Sequence, residues 1–140
     1  MLSYRKYRFL AATAVLIGFL TYGCGESRTN QCNKLNKIAN RVKTLKPPKD
    51  AEGFNQIAEA IDSIGLEMRA LKLEDTKLKD FQGRFNSVYN ELSEAARSIS
   101  QAYSEKKQVP AIAKITKDVK SIGDRESSLI SEINKYCAGQ

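Results

Sequence analysis

The sequence predicts an all-α protein: an up-down-up-down four-helix bundle that follows a cleaved signal peptide. Apolar residues recur at alternating spacings of three and four in four separate segments, which is the period of helices that pack on one another. The connections between these segments are short, and short connections favour antiparallel neighbours. The predicted divisions are the signal peptide over residues 1–23, a tether over 24–30 and the bundle over 31–138.

Each predicted helix has an apolar stripe, and the breaks between the stripes carry start and stop residues. Pro47 and Pro48 end the first helix, because proline disfavours helix in the residue before it. Asp50 and Asp75 can cap the second and third helices, and Pro110 fits the first turn of the fourth. The segment LKLEDTKL contains no glycine or proline. A single bent helix in place of the second and third helices is therefore an alternative interpretation. The stripes are Leu35, Ile38, Val42 and Leu45; Phe54, Ile57, Ile61, Ile64, Met68 and Leu71; Leu78, Phe81, Phe85, Val88, Leu92, Ala95, Ile99 and Ala102; and Ile112, Ile115, Val119, Ile122, Glu126, Leu129, Ile133 and Tyr136.

The first two dozen residues have the layout of a secretory signal. Arg5, Lys6 and Arg8 precede fourteen uncharged residues, 9–22, and small residues follow. Fourteen helical residues reach only about 21 Å, whereas the hydrocarbon core of a bilayer is about 30 Å thick. A cleaved signal therefore fits better than a permanent transmembrane helix, although an uncleaved anchor stays open.

This segment resembles the signals of bacterial lipoproteins, which end in an aliphatic residue, two small residues and a cysteine that becomes lipidated. Gly23 and Cys24 match that pattern, while Leu20 supplies the aliphatic residue one place early and Tyr22 is larger than usual. The resemblance implies cleavage before Cys24 and a lipid on its sulfur. Ordinary signal-peptidase cleavage after Gly25 is the alternative.

The count of three cysteines is consistent with that lipid. Disulfides persist in exported proteins, where an odd cysteine needs an explanation. If Cys24 is lipidated, Cys32 and Cys137 remain as a pair. An up-down-up-down order places the start of the first helix and the end of the fourth at one end of the bundle, so we predict a disulfide between them.

The composition argues against catalysis. The chain has no histidine, no glycine-rich phosphate loop and no cysteine cluster at metal-ligand spacing. We expect no catalytic residue, no metal site, no cofactor and no nucleic-acid partner. Glu126 interrupts the fourth stripe, and we expect it to be ion-paired, with Arg125 beside it, or to reach the solvent edge.

Charge is distributed unevenly along the chain. Residues 28–49 hold seven basic residues and no acid, whereas residues 50–75 hold seven acids and two basic residues. These segments can face each other across adjacent helices. Part of the first helix can also rest on anionic headgroups near the lipid, and the membrane-surface candidates are Lys34, Lys37, Arg41 and Lys43.

The predicted function is a non-catalytic structural or interaction role at a membrane surface, as an accessory or assembly factor of a membrane complex. We expect the protein to be exported and lipid-anchored, on the periplasmic or thylakoid-lumen side. In size, anchor and helical architecture it resembles the small lumenal lipoproteins of cyanobacteria that assist photosystem II, although no motif of those families matches. The candidates for a protein-partner surface, predicted to be exposed, are Leu66, Leu73, Tyr89 and Tyr103.

The alternative is a periplasmic carrier that binds a small ligand or ion between the helices. Gly65 and Gly123 occupy equivalent places in a weak echo between the second and fourth helices. Both lie beside the apolar seam, where the lack of a side chain permits either close packing of a neighbour or a ligand cleft.

Overall fold

The computed structural model describes residues 25–105 and 109–139, which form four α-helices packed on one another. The predicted all-α bundle is therefore confirmed. The predicted signal peptide and Cys24 lie outside the described residues. The helices are α1 (Arg28–Ala39), α2 (Ala51–Ala70), α3 (Thr76–Ser104) and α4 (Val109–Cys137), and a 3₁₀ helix at Val42–Thr44 follows α1.

The predicted caps start α2 and α3. The Asp50 carboxylate accepts a hydrogen bond from the Gly53 amide at 2.8 Å. The Asp75 carboxylate accepts one from the Leu78 amide at 3.0 Å. Each bond satisfies an amide that has no partner inside its helix. Leu71 is extended, with ψ of 125°, so α2 and α3 are separate helices.

The first helix is shorter than predicted, because it ends at Ala39 and not at the prolines. The Asn40 side chain donates to the Asn36 carbonyl at 2.9 Å, a local bond that competes with continuation of the helix. The backbone then tightens into the 3₁₀ helix and becomes extended at Leu45, with ψ of 134°. Val42 and Leu45 still pack against the core, although neither is in an α-helix.

The tether is also shorter than predicted, because α1 begins at Arg28. The Ser27 hydroxyl caps this helix by accepting a hydrogen bond from the Asn30 amide at 3.2 Å. Arg28 to Asn30 therefore belong to the bundle. Only residues 25–27 precede it in the described structure.

Neighbouring helices run antiparallel, as predicted. Phe54 in the first turn of α2 stacks on Tyr103 in the last turn of α3, with ring centroids 5.7 Å apart. Phe81 near the start of α3 packs on Tyr136 in the last turn of α4, at 6.1 Å. The third helix α3 contacts all three others, and α2 and α4 most extensively.

The disulfide predicted between Cys32 and Cys137 is present, with a Cα–Cα distance of 6.0 Å. It joins the start of α1 to the end of α4. We call this end of the molecule the tether end, and the opposite end, where Phe54 stacks on Tyr103, the far end. The largest fully buried side chains lie between them: Tyr89, Phe81, Phe85, Leu35, Ile64, Met68, Leu78 and Ile133.

The helices differ greatly in length. The 12 residues of α1 span about 18 Å, whereas the 29 residues of α3 or α4 span about 43 Å. The bundle therefore has four helices only toward the tether end. Toward the far end it has three, and the extended segment 45–50 runs beside α2.

Candidate functional site

A buried glutamine fastens the tether end. Gln31, only 2% exposed, donates to the Glu26 carbonyl at 2.7 Å. Its side-chain oxygen accepts from the amides of Glu74 at 2.7 Å and Asp75 at 3.1 Å. One side chain thus joins the residues before α1 to the connection between α2 and α3. Sequence reasoning missed it, and the available signal was its place one turn before Leu35 on the first stripe.

The Asp75 carboxylate connects this end further. Its Oδ2 accepts a hydrogen bond from the Tyr136 hydroxyl at 2.8 Å, and the Arg28 guanidinium lies over the Tyr136 ring at 5.3 Å. Hydrogen bonds, above all the one from the Leu78 amide, lower the pKa of Asp75. The bond to this carboxylate raises the pKa of Tyr136. The tether end is therefore a connected polar assembly around the disulfide.

Three of the four membrane-surface candidates lie together. Lys34, Lys37 and Arg41 line a groove of about 260 Å³ between α1 and α2. Lys43 does not line this groove. It is the positive charge whose attraction partly opposes the raised pKa of Glu126 on α4.

Among the described residues, the charge pairing predicted between the first and second helices is seen at one position. Arg41, just after α1, forms an ion pair with Glu67 of α2. Lys34 pairs instead with Glu26, at 2.6 Å. Both pairs are partly exposed, and such pairs contribute about 1 kcal/mol or less.

The partner-surface candidates divide into two exposed and two buried residues. Leu66 is 60% exposed and Tyr103 is 49% exposed, as predicted. Leu66 lies twelve positions along α2 from Phe54, the stacking partner of Tyr103, so about 18 Å of helix lies between the two exposed positions. They do not form one surface.

The predictions for Leu73 and Tyr89 are wrong. Leu73 is 6% exposed, because α2 ends at Ala70 and the extended connection turns this side chain into the core. Tyr89 is 1% exposed, because α1 covers this flank of α3. Its hydroxyl donates a long hydrogen bond, 3.4 Å, to the Ala39 carbonyl.

Glu126 is buried and has no ion pair among the described residues, contrary to the prediction. It is 8% exposed, and its Oε1 has no hydrogen-bond partner among the described residues. Burial raises its pKa. Arg125 is unavailable to it, because that guanidinium binds Glu91 across the α3–α4 interface. The carboxylate thus weakens the core.

Two reciprocal ion pairs join α3 to α4. Arg84 makes two hydrogen bonds to Glu132, at 2.8 and 3.0 Å, and Arg125 binds Glu91. The spacing R-x2-S-x3-E occurs at 84–91 and again at 125–132, and this repeat is the signal that sequence reasoning missed. Because the helices are antiparallel, each arginine meets the glutamate of the other helix. The pairs therefore fix the register of α3 on α4.

The glycines of the weak echo have ordinary surroundings. A Cβ on Gly65 would lie 3.8 Å from Tyr89 Cβ, an ordinary contact, and one on Gly123 would meet no atom within 4 Å among the described residues. The prediction of close packing at Gly123 is therefore wrong. Neither glycine lines the grooves beside α1, between α3 and α4, or along segment 45–50.

Within residues 25–105 and 109–139, no helix is both long and apolar enough to span a membrane. The same residues contain no cluster of three or more acidic, cysteine or histidine side chains suited to a metal ion. Comparisons with family models, with characterised proteins and with solved structures found no match to this chain.

Proposed function

We propose that this protein is exported, carries a lipid on Cys24 and acts as a membrane-tethered helical module that binds another protein without catalysing a reaction. The observation that carries the proposal is the Cys32–Cys137 disulfide. It uses two of three cysteines and suits an oxidising compartment. The remaining Cys24 follows the basic and apolar segment that resembles a lipoprotein signal. A role as accessory or assembly factor of a membrane complex fits this arrangement.

The position of the disulfide supports a close tether. The chain enters the described structure at Gly25 and is held by Gln31 through the Glu26 carbonyl. Residues 25–27 span at most about 10 Å, so a lipid on Cys24 would keep the tether end beside the bilayer. The far end would then point away from the membrane.

The far end offers the better surface for a protein partner. Tyr103 is half-exposed there and stacks on the partly buried Phe54. Aromatic residues are enriched at protein interfaces, because they offer a large apolar area with a polar tip. Leu66, a single exposed leucine on α2, is the weaker candidate.

The anchor is tested by the intact mass of the protein from native membranes. We expect a mass that starts at Cys24 and includes a diacylglycerol, with two thiols that react only after reduction. Cys24→Ser should lose the lipid and leave the membrane fraction. A lipid-free native mass would contradict the anchor, and a chain starting at Glu26 would indicate ordinary cleavage after Gly25.

The partner surface is tested by a photocrosslinking amino acid at position 103 in the membrane-anchored protein. We expect one discrete crosslinked product, because Tyr103 would lie in the interface. The control places the same crosslinker at Lys79, which is exposed near the tether end of α3. A product of equal yield from both positions, or none from position 103, would show that Tyr103 is not the contact.

A further inference from the structure

The groove between α1 and α2 combines an apolar floor with positive charge. Ile38 and Leu71 line its floor, and Lys34, Lys37 and Arg41 line the α1 side. Lys34 and Lys37 are three residues apart on one face of α1, and Arg41, just after the helix, lines the same groove. At about 260 Å³, the groove accommodates a small charged group and the start of an apolar chain.

The positive charges of this groove exceed the negative charges that face them. Lys34 pairs with Glu26, and Arg41 pairs with Glu67, which also lines the groove. Lys37 lies between these two pairs along α1. Three basic residues of the groove thus face two carboxylates among the described residues, Glu26 and Glu67, which leaves a net positive charge along its α1 side.

The groove also lies close to the entry of the chain. Glu26, one residue after the start of the described structure, reaches Lys34 at 2.6 Å. If Cys24 carries a lipid, the groove begins within about 10 Å of the bilayer surface. Juxtamembrane basic residues are attracted to anionic lipids by about 1 kcal/mol each.

We propose that this groove binds the headgroup of an anionic phospholipid of the membrane to which the protein is tethered. The phosphate lies between Lys34 and Lys37, and the glycerol and upper acyl chain contact Ile38 and Leu71. Because the groove lies at the tether end, binding would give that end a second contact with the bilayer beside the lipid. This inference rests on the proposed tether.

The test is lysine footprinting on the full, membrane-purified protein. The protein is reconstituted into vesicles of phosphatidylcholine alone or with about three-tenths phosphatidylglycerol. Acetylation rates of individual lysines are then read by mass spectrometry. We expect anionic lipid to slow acetylation of Lys34 and Lys37 about fivefold, since about 1 kcal/mol per lysine corresponds to that factor.

Other lysines of the same sample act as controls. Lys114 and Lys117 are exposed on α4 toward the far end with the spacing of Lys34 and Lys37, and their rates should not change. Lys72 is exposed in the α2–α3 connection at the tether end. Equal slowing at Lys72 would show general proximity to the bilayer and overturn the groove proposal.

Two further results would also overturn it. The first is identical acetylation of Lys34 and Lys37 in the two kinds of vesicle. The second is equal slowing by soluble glycerol phosphate, since the bilayer would then play no part. Flotation separates this inference from the tether: a protein that fails to float with phosphatidylcholine vesicles lacks the anchor, whereas footprinting with phosphatidylglycerol vesicles still decides the groove.

The matched variants are Lys34→Gln with Lys37→Gln, and Lys114→Gln with Lys117→Gln. Both remove two positive charges from one helix face. Because glutamine is not acetylated, protection by anionic lipid is read in these variants as slower exchange of the α1 amides with deuterium, and only the first pair of substitutions should abolish it. If both pairs had the same effect, net charge and not the groove would account for binding.

Discussion

Replacing both bridged cysteines by alanine, Cys32→Ala with Cys137→Ala, is expected to lower the free energy of unfolding by about 4 kcal/mol. The bridge joins residues 105 positions apart, so it restricts the conformational freedom of most of the unfolded chain. The melting temperature should fall by roughly 10 to 20 °C. Urea unfolding followed by circular dichroism measures the first quantity, and a thermal scan measures the second.

The reduced native protein is the natural control for this variant. A reductant should lower the stability of the native protein to that of the double variant, which should not respond to it. Amide exchange should rise first in α1, because this short helix loses its covalent link to α4. Equal stability of the native protein with and without reductant would contradict a stabilising bridge.

Replacing the buried carboxylate, Glu126→Met, is expected to raise the free energy of unfolding at pH 7 by about 2 kcal/mol. Glu126 is nearly fully buried, and one carboxylate oxygen has no partner among the described residues. Methionine fills a similar volume without a charge to desolvate. Glu126→Gln should give a smaller gain, since the amide also loses hydrogen bonds to water.

The gain should depend on pH in a defined direction. Burial raises the pKa of Glu126, so the folded protein holds this proton more tightly than the unfolded chain. Stability from this group is therefore present below the unfolded pKa, about 4.3, and is lost as pH rises through the folded pKa. The advantage of Glu126→Gln should be largest at pH 7 and smallest near pH 4.

Other ionisable groups near Glu126, and the carboxylates of the α3–α4 ion pairs, also contribute to the pH dependence of stability. Burial raises the pKa of Glu126, and the charge of Lys43 partly opposes this. Burial, and to a lesser extent the charge of Glu126, raises the pKa of Tyr89. Glu91 and Glu132 act in the opposite direction, because hydrogen bonds from the arginines that they pair with lower their pKa. Comparing variant with native protein at each pH cancels these contributions.

The control for this pH dependence is Glu59→Gln, the same chemical change at an exposed position of α2. It should alter stability little at either pH. If Glu126→Gln were no more stable than the native protein at pH 7, the carboxylate would have a partner in solution. Urea unfolding at pH 4 and pH 7 gives the comparison.

Much of the fold follows from local patterns in the sequence. The spacing of apolar residues predicts four helices, since only one face of each meets the others. Asp50 and Asp75 begin helices because their carboxylates can reach amides three residues on. The early end of α1 was missed, because Val42 and Leu45 continue the apolar stripe although Asn40 has already ended the helix.

Which side chains are exposed depends on contacts between residues that are distant in sequence. The apolar stripes alone therefore predict exposure less well than they predict helices. Leu73 becomes buried where the backbone leaves the helix, and Tyr89 becomes buried because α1 lies over it. The role of Gln31 requires the α2–α3 connection to come within hydrogen-bond distance. Such positions are set by packing between helices and not by the period of any one of them.

The disulfide also determines how the molecule would bear mechanical load. Cys32 lies in the first half of α1, and Cys137 is the last residue of α4, so the bridge encloses nearly the entire bundle. Tension applied between residue 25 and residue 139 would pass through the covalent bond and bypass the enclosed helices. If the protein is tethered as proposed, a partner pulling on residue 139 would leave the packed helices intact, whereas a pull on a position enclosed by the bridge would unfold them.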